Sequence, residues 1–203
     1  MDAGDWDARY AAAELVWSVT PNQFVAAELA DLPPGRALDL AAGEGRNAIW
    51  LASLGWQVTA VDFSQVALDK GRRLAERQEL AGSVAWVCAD ATGWEGGGGY
   101  DLAVVAYLQL VEGARRAAVR AAFEALRPGG TFLLVAHDST NLVEGTGGPQ
   151  DPAVLMTADD VLDDLGGQPL EVERADRVVR HVPQPDGSTA PAYDALVRLV
   201  RRG

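Results

Sequence analysis

Cysteine is almost absent from this chain: Cys88 stands alone among 203 residues, which excludes an intrachain disulfide and a cysteine-cluster zinc site and fits a reducing compartment. Basic residues are scarce too, 17 Lys plus Arg against 29 Asp plus Glu, for a formal charge of −12. A field of that sign repels phosphate backbones and anionic lipid surfaces, so neither a nucleic-acid nor a membrane partner is expected. Long apolar runs are missing, and the N-terminal MDAGDWDARY has neither a basic n-region nor an apolar h-region. Together these absences predict a soluble, cytoplasmic protein. What remains, 48% hydrophobic and 23% charged residues without repeats or low complexity, is the composition of one globular domain spanning residues 1–203.

Short apolar runs alternate with helical patterns. Ala37–Leu40, Gln57–Val61, Val84–Cys88, Leu102–Tyr107 and Thr131–Ala136 read as parallel strands covered on both faces. Between them, Ala48, Leu51 and Ala52 form one helical stripe, Ala67, Gly71 and Leu74 a second, and Val119, Ala122, Phe123 and Leu126 a third. Ser64 reads as an N-cap, Thr157-Ala158-Asp159-Asp160 as a capping box, and Arg127-Pro128-Gly129-Gly130 as a helix stop. Near the end, Leu170–Val182 and Ala192–Val200 are strand-like, and the Pro183–Pro191 connection is too short for a crossover helix, so they should pair as an antiparallel hairpin. The fold class expected is α/β: a doubly wound, mostly parallel, seven-stranded sheet ending in that hairpin.

The stretch LDLAAGEGRNA, residues 38–48, fits the G-x-G-x-x-G/A fingerprint of dinucleotide sites, and Asp62 lies where a ribose-binding acid is expected. A pyrophosphate at this helix start would meet Asp39 and Glu44 with only Arg46 in compensation. A ligand carrying an ammonium and a sulfonium suits the two acids better. A nicotinamide-dependent oxidoreductase stays open on the fingerprint, and predicts a parallel sixth strand in place of the hairpin.

LDLAAGEGRN, TAVDFS, VCADAT, YDLAVVAYLQL and LRPGGTFLLVAHD, in that order, resemble the successive motifs of class I S-adenosylmethionine-dependent methyltransferases over residues 36–138. The GEGRN loop is similar to that of the tellurite-resistance and thiopurine-like small-molecule enzymes. The resemblance implies a Rossmann-like fold, S-adenosylmethionine as cofactor and a small-molecule acceptor with an S, Se/Te, O or N nucleophile. A domain that binds the cofactor without transferring its methyl is the other alternative.

By the same resemblance, Asp39 would receive the cofactor's ammonium and Ala41, Gly43 and Gly45 would bring the backbone against its amino-acid half. Arg46 and Asn47 open the following helix, where Arg46 could pair with a site acid or hold an anionic substrate. Asp62 would accept from both ribose hydroxyls, Phe63 would face adenine, and Asp90 with the Ala91 N–H would meet the adenine edge. Ala106 and Tyr107 would lie by the transferring methyl, and His137 is a candidate general base or a structural histidine. No metal is implied. Residues 1–34, with Trp6, Tyr10 and Trp17, would form a lid, and loop 141–156 would help select the acceptor. Ala41 and Ala42 depart from the family's glycine and cysteine, and alanine resists positive φ by roughly 1 kcal/mol. Cys88 reads as a small core residue and His181 as surface.

Overall fold

A computed structural model describes residues 3–13, 15–16 and 18–203. Two helices, α1 (Ala3–Ala11) and α2 (Gln23–Leu29), precede the alternating series β1 (Arg36–Leu40), α3 (Arg46–Ser53), β2 (Gln57–Asp62), α4 (Gln65–Ala75), β3 (Ser83–Cys88), β4 (Tyr100–Ala106), α5 (Glu112–Glu124) and β5 (Leu126–His137). After α6 (Ala158–Asp164), the chain closes with β6 (Leu170–Pro183) and β7 (Thr189–Arg201). The seven strands lie in the order β3-β2-β1-β4-β5-β7-β6. The first five pair in parallel, and β7 is antiparallel to both β5 and β6. The expected hairpin is therefore present, and a parallel sixth strand is not. Among the described residues no helix is long and apolar enough to cross a membrane.

Because successive side chains of a strand point to opposite faces, the central strands feed two cores. Leu38, Leu40, Ala103, Val105, Phe132 and Leu134 pack toward α5 and α6, which supply Val119, Phe123, Val161 and Leu165. Ala37, Val58, Ala60, Leu102, Val104 and Leu133 pack toward α2 and α3, which supply Val25, Leu29, Leu51 and Ala52. The order reverses between β1 and β4, and the crevice at their carboxyl ends is where such sheets bind ligands.

Local signals account for most boundaries. Ser64 caps α4 by accepting from the Ala67 N–H at 3.1 Å. Thr157 and Asp160 form a reciprocal capping box at α6, with Thr157 N–H to Asp160 at 2.7 Å and Asp160 N–H to Thr157 at 3.2 Å.

Three expectations are corrected. Leu126 belongs to β5, not to the preceding helix: it pairs with Tyr100, and the register shift between Tyr100 and Leu102 accommodates Arg127–Gly130 as an irregularity inside the strand. Cys88 is exposed, because β3 is an edge strand with only one neighbour. The hairpin strands run further toward their turn than expected, since pairing continues out to Pro183 and Thr189.

Glycine at two positions is dictated by Trp86 of β3. A Cβ on Gly45 would lie 2.4 Å from its indole, and one on Gly71 2.6 Å from the indole and 2.8 Å from the Glu44 carbonyl oxygen. Gly71, expected as part of an apolar stripe on α4, is thus a seat for an aromatic ring. Gly71→Ala, which in an exposed helix would gain about 1 kcal/mol, should here destabilise by about 1–3 kcal/mol through overpacking, read as a lowered urea midpoint at unchanged m-value.

Candidate functional site

The loop after β1 turns on three left-handed residues, Ala41 (φ +64°), Gly43 (φ +57°) and Gly45 (φ +76°). The first is the alanine that departs from the family pattern, and it adopts the conformation alanine resists. The turn is held from β2: Asp62 accepts from the Gly43 N–H at 2.8 Å through one carboxylate oxygen and from the Ser64 N–H at 2.9 Å through the other. Burial raises the Asp62 pKa against the help of these two donors, and the neighbouring Asp7 adds to the rise.

Asp39, one residue before the end of β1, is 1% exposed, and neither carboxylate oxygen has a hydrogen-bond partner. Burial pushes its pKa up to about 7, with the Ala48 N–H and Arg46 pulling the other way and Asp62 adding repulsion. An ionised carboxylate in such a place is costly unless a cation joins it.

Glu44 does something else. Its carboxylate, 3% exposed, accepts from the Val16 N–H at 3.0 Å and lies 3.4 Å from the Lys70 ammonium. Lys70 also donates to the Tyr10 and Ala13 carbonyls, and Asp7 accepts from the Ser64 hydroxyl. The N-terminal segment is thereby fastened over the glycine loop, as a lid would be. Tyr10 is buried and stacks on Trp6 at 5.6 Å between ring centroids. Trp17 lies outside the described residues.

A second cluster forms at the ends of β4 and β5. Tyr107 leaves β4 with φ +58° and donates its hydroxyl to Asp194 of β7 at 2.8 Å. Burial and the Asp194 charge push the Tyr107 pKa up to about 12, so the phenol is a donor and not a base. Its ring lies 4.7 Å from the His137 imidazole, centroid to centroid. Asp194 is fully buried and also accepts from Arg180 of β6 at 2.8 and 3.4 Å. Burial alone would raise the Asp194 pKa, but His137, Arg180 and Tyr107 around it lower it instead. Over His137 passes the loop after β5: a Cβ on Gly148 would stand 3.1 Å from Nδ1. Asn141 anchors that loop to β7 by accepting from the Tyr193 N–H at 2.7 Å.

The remaining expected residues fall around the same crevice. Asn47 accepts from the Asn22 N–H at 2.9 Å, tying α3 to the start of α2. Arg46 is partly buried, and burial lowers its pKa. Asp90 caps the turn Ala91–Gly93 by accepting from the Thr92 N–H and hydroxyl, both at 2.8 Å, through one oxygen. Ala91 is buried, and Phe63 and Ala106 are partly exposed at the ends of β2 and β4. Asp194 and Arg180 were missed by the sequence reading. The available signal was one acid inside the largely apolar AYDALVRLV, and only the register His137↔Asp194 gives it meaning.

The profile of the family described as "Methyltransferase domain" matches residues 37–130. Thiocyanate methyltransferase 1 of Brassica oleracea is 25% identical over 178 residues, covering 85% of this chain and 77% of its own. Among solved structures, one concerned with conversion of a disulfide bond into a thioacetal group during echinomycin biosynthesis superposes with a TM-score of 0.76 at 22% identity, covering 98% of this chain and 93% of that one. The N-methyltransferase NodS of Bradyrhizobium japonicum WM9, in complex with S-adenosyl-L-homocysteine, gives 0.75 at 17% identity, with 100% of both chains covered. Residues 37–130 thus match a methyltransferase-domain family, and the whole chain has the fold of the solved methyltransferase structures on which it superposes.

Ala41→Gly tests the strain at the loop. Relief of about 1–2 kcal/mol of left-handed strain, set against roughly 0.4–1 kcal/mol of added unfolded-state entropy, predicts a net gain of about 0.5–1 kcal/mol in denaturant unfolding.

Proposed function

We propose that this enzyme methylates a small-molecule acceptor at the carboxyl ends of β4 and β5, with the cofactor lying along the ends of β1, β2 and β3. The observation that carries the reading is Asp39, a buried carboxylate with both oxygens unpartnered beside the glycine loop. Its chemistry fits the cofactor's ammonium. Gly43, Gly45 and Ala41 would shape the backbone around that end, with Arg46 and Asn47 at the start of α3. Asp62 would take the ribose diol, since each of its oxygens spends one acceptor direction on the backbone and keeps another. Phe63 would face the adenine, with Asp90 and the Ala91 N–H at its edge. Ala106 and Tyr107 would border the reacting centre.

The cofactor brings a methyl group already activated by the sulfonium. The chain's own work is then to hold donor and acceptor in near-attack geometry and to keep water out. Tyr107, locked by Asp194, gives that centre a fixed aromatic wall. The docked N-terminal segment and the Gly148 loop narrow the approach, which favours a small acceptor, as do the name of the Brassica relative and the net charge of −12.

Calorimetric titration with S-adenosylhomocysteine and with NAD in parallel tests the reading. The homocysteine product should bind and NAD should not; NAD binding alone would overturn it. Asp39 adds a pH signature. With a folded pKa of about 7 raised from 3.8, the native state holds a proton that the unfolded chain has lost between those values. Stability of the free enzyme therefore falls as pH rises through that window, by on the order of 4 kcal/mol in full. Ammonium binding needs the ionised acid, so product affinity should weaken about tenfold for each pH unit below about 7 and level off above it. Asp39→Asn should raise the thermal midpoint of the free enzyme at pH 8 and flatten the pH dependence of binding. Unchanged pH dependence in that variant would remove Asp39 from the ammonium site.

A further inference from the structure

His137 and Asp194 face each other directly across the antiparallel β5–β7 pair. Imidazole Nδ1 stands 3.4 Å from a carboxylate oxygen of Asp194, buried and without a hydrogen bond in its present orientation, so a small ring rotation completes the contact. No described residue engages Nε2. The Tyr107 ring and the Gly148 backbone both lie against the imidazole, the first at 4.7 Å between centroids and the second so near that a Cβ there would stand 3.1 Å from Nδ1. The Gln109 side chain accepts from the His137 N–H at 3.1 Å and fixes the backbone from which the ring projects.

We propose that His137 and Asp194 form a carboxylate–imidazole pair that removes the proton from a hydroxyl or amine acceptor, with His137 as the base and Asp194 as its positioning residue. This rests on the methyl-transfer reading and deepens it by naming the acceptor class. As the nucleophile's lone pair bonds to the methyl carbon and the carbon–sulfur bond breaks with its electrons staying on sulfur, the nucleophile's proton passes to Nε2. The imidazolium so formed is stabilised by Asp194 and loses its proton to solvent after release. Such pairs work because the buried carboxylate selects the Nδ1–H tautomer and compensates the charge that develops on the ring.

The charged and titratable groups around His137 make the idea testable. Asp194 from β7 favours the imidazolium, and Arg180 from β6 opposes it by neutralising Asp194. Tyr107 from β4 stays protonated, and Arg46 from α3 interacts electrostatically with Tyr107 and Arg180. The chain has two histidines, and His181 is exposed on β6, so it serves as an internal reference in imidazole NMR.

The experiment reads the imidazole tautomers by nitrogen NMR in the S-adenosylhomocysteine complex of the wild type, Asp194→Asn and Arg180→Gln, with thermal midpoints to confirm folding. His137 should be held as the Nδ1–H tautomer in the wild type and in Arg180→Gln and lose that preference in Asp194→Asn, with the His181 signals unchanged. In parallel, transfer from S-adenosylmethionine is assayed against a panel of phenols and amines, and against thiocyanate as a permanently anionic probe. Phenol or amine methylation should drop at least about a hundredfold in His137→Asn and lose its acid limb, while any thiocyanate methylation persists. A His137 tautomer that is the same in Asp194→Asn as in the wild type overturns the pair. Wild-type methylation of thiocyanate with none of the phenols or amines overturns the acceptor class. Failure of the wild type to bind S-adenosylhomocysteine would instead strike the cofactor reading beneath both.

Discussion

Two neighbouring strands, β1 and β4, both leave the sheet through a left-handed residue that is not glycine, Ala41 and Tyr107. Each such turn costs on the order of 1–2 kcal/mol and persists only when the surroundings over-determine it. Here they do. The Ala41 turn runs into a loop whose Gly43 N–H is held by Asp62, and Tyr107 is tied at both ends, its N–H to the Val135 carbonyl at 2.7 Å and its hydroxyl to Asp194. Since the strand order reverses between β1 and β4, the two sharp exits send α3 and α5 to opposite faces and leave a crevice between them.

The crevice holds two buried carboxylates in opposite conditions. Asp39 has no hydrogen bond of normal geometry, the pull of the Ala48 N–H does not offset its burial, and it holds its proton to about pH 7. Asp194 is surrounded by Tyr107, Arg180 and His137, and its pKa is lowered despite full burial. The first acid is incomplete without an incoming cation, whereas the second already has its charge compensated and can only orient its neighbours. Identical side chains are thus compensated at one place and left uncompensated at the other, because burial is answered by donors in one case and not in the other.

Much of the fold was legible because it rests on local rules. The apolar runs of β1, β2, β4 and β5, the Ser64 and Thr157 caps and the short connection of the hairpin are each decided within a few residues. The misreadings occur where a distant partner decides. Leu126 continues a helical stripe in sequence, yet its pairing with Tyr100 draws it into the sheet. Cys88 sits in an apolar run that looks buried, but β3 has no outer neighbour. Asp39, Asp62 and His137 could be placed at strand ends from the motif order alone. Asp194 could not, because its meaning depends on the β5–β7 register and on Arg180 arriving from β6.

Glu44 shows how the N-terminal segment alters the chemistry of the loop it packs against. Read from the sequence, Asp39 and Glu44 are two acids facing one cationic ligand. In the folded chain Lys70, the one lysine, places its ammonium among Glu44 and the Tyr10 and Ala13 carbonyls, and Val16 adds a backbone donor to the same carboxylate. A largely buried ammonium with three acceptors is compensated, and so is the acid beside it. The N-terminal segment therefore couples its own docking to the neutralisation of Glu44, which leaves Asp39 as the loop acid whose oxygens are still unpartnered. Of the two carboxylates that the sequence sets beside the glycine loop, one stays unpartnered in the fold, and the other fastens the N-terminal segment.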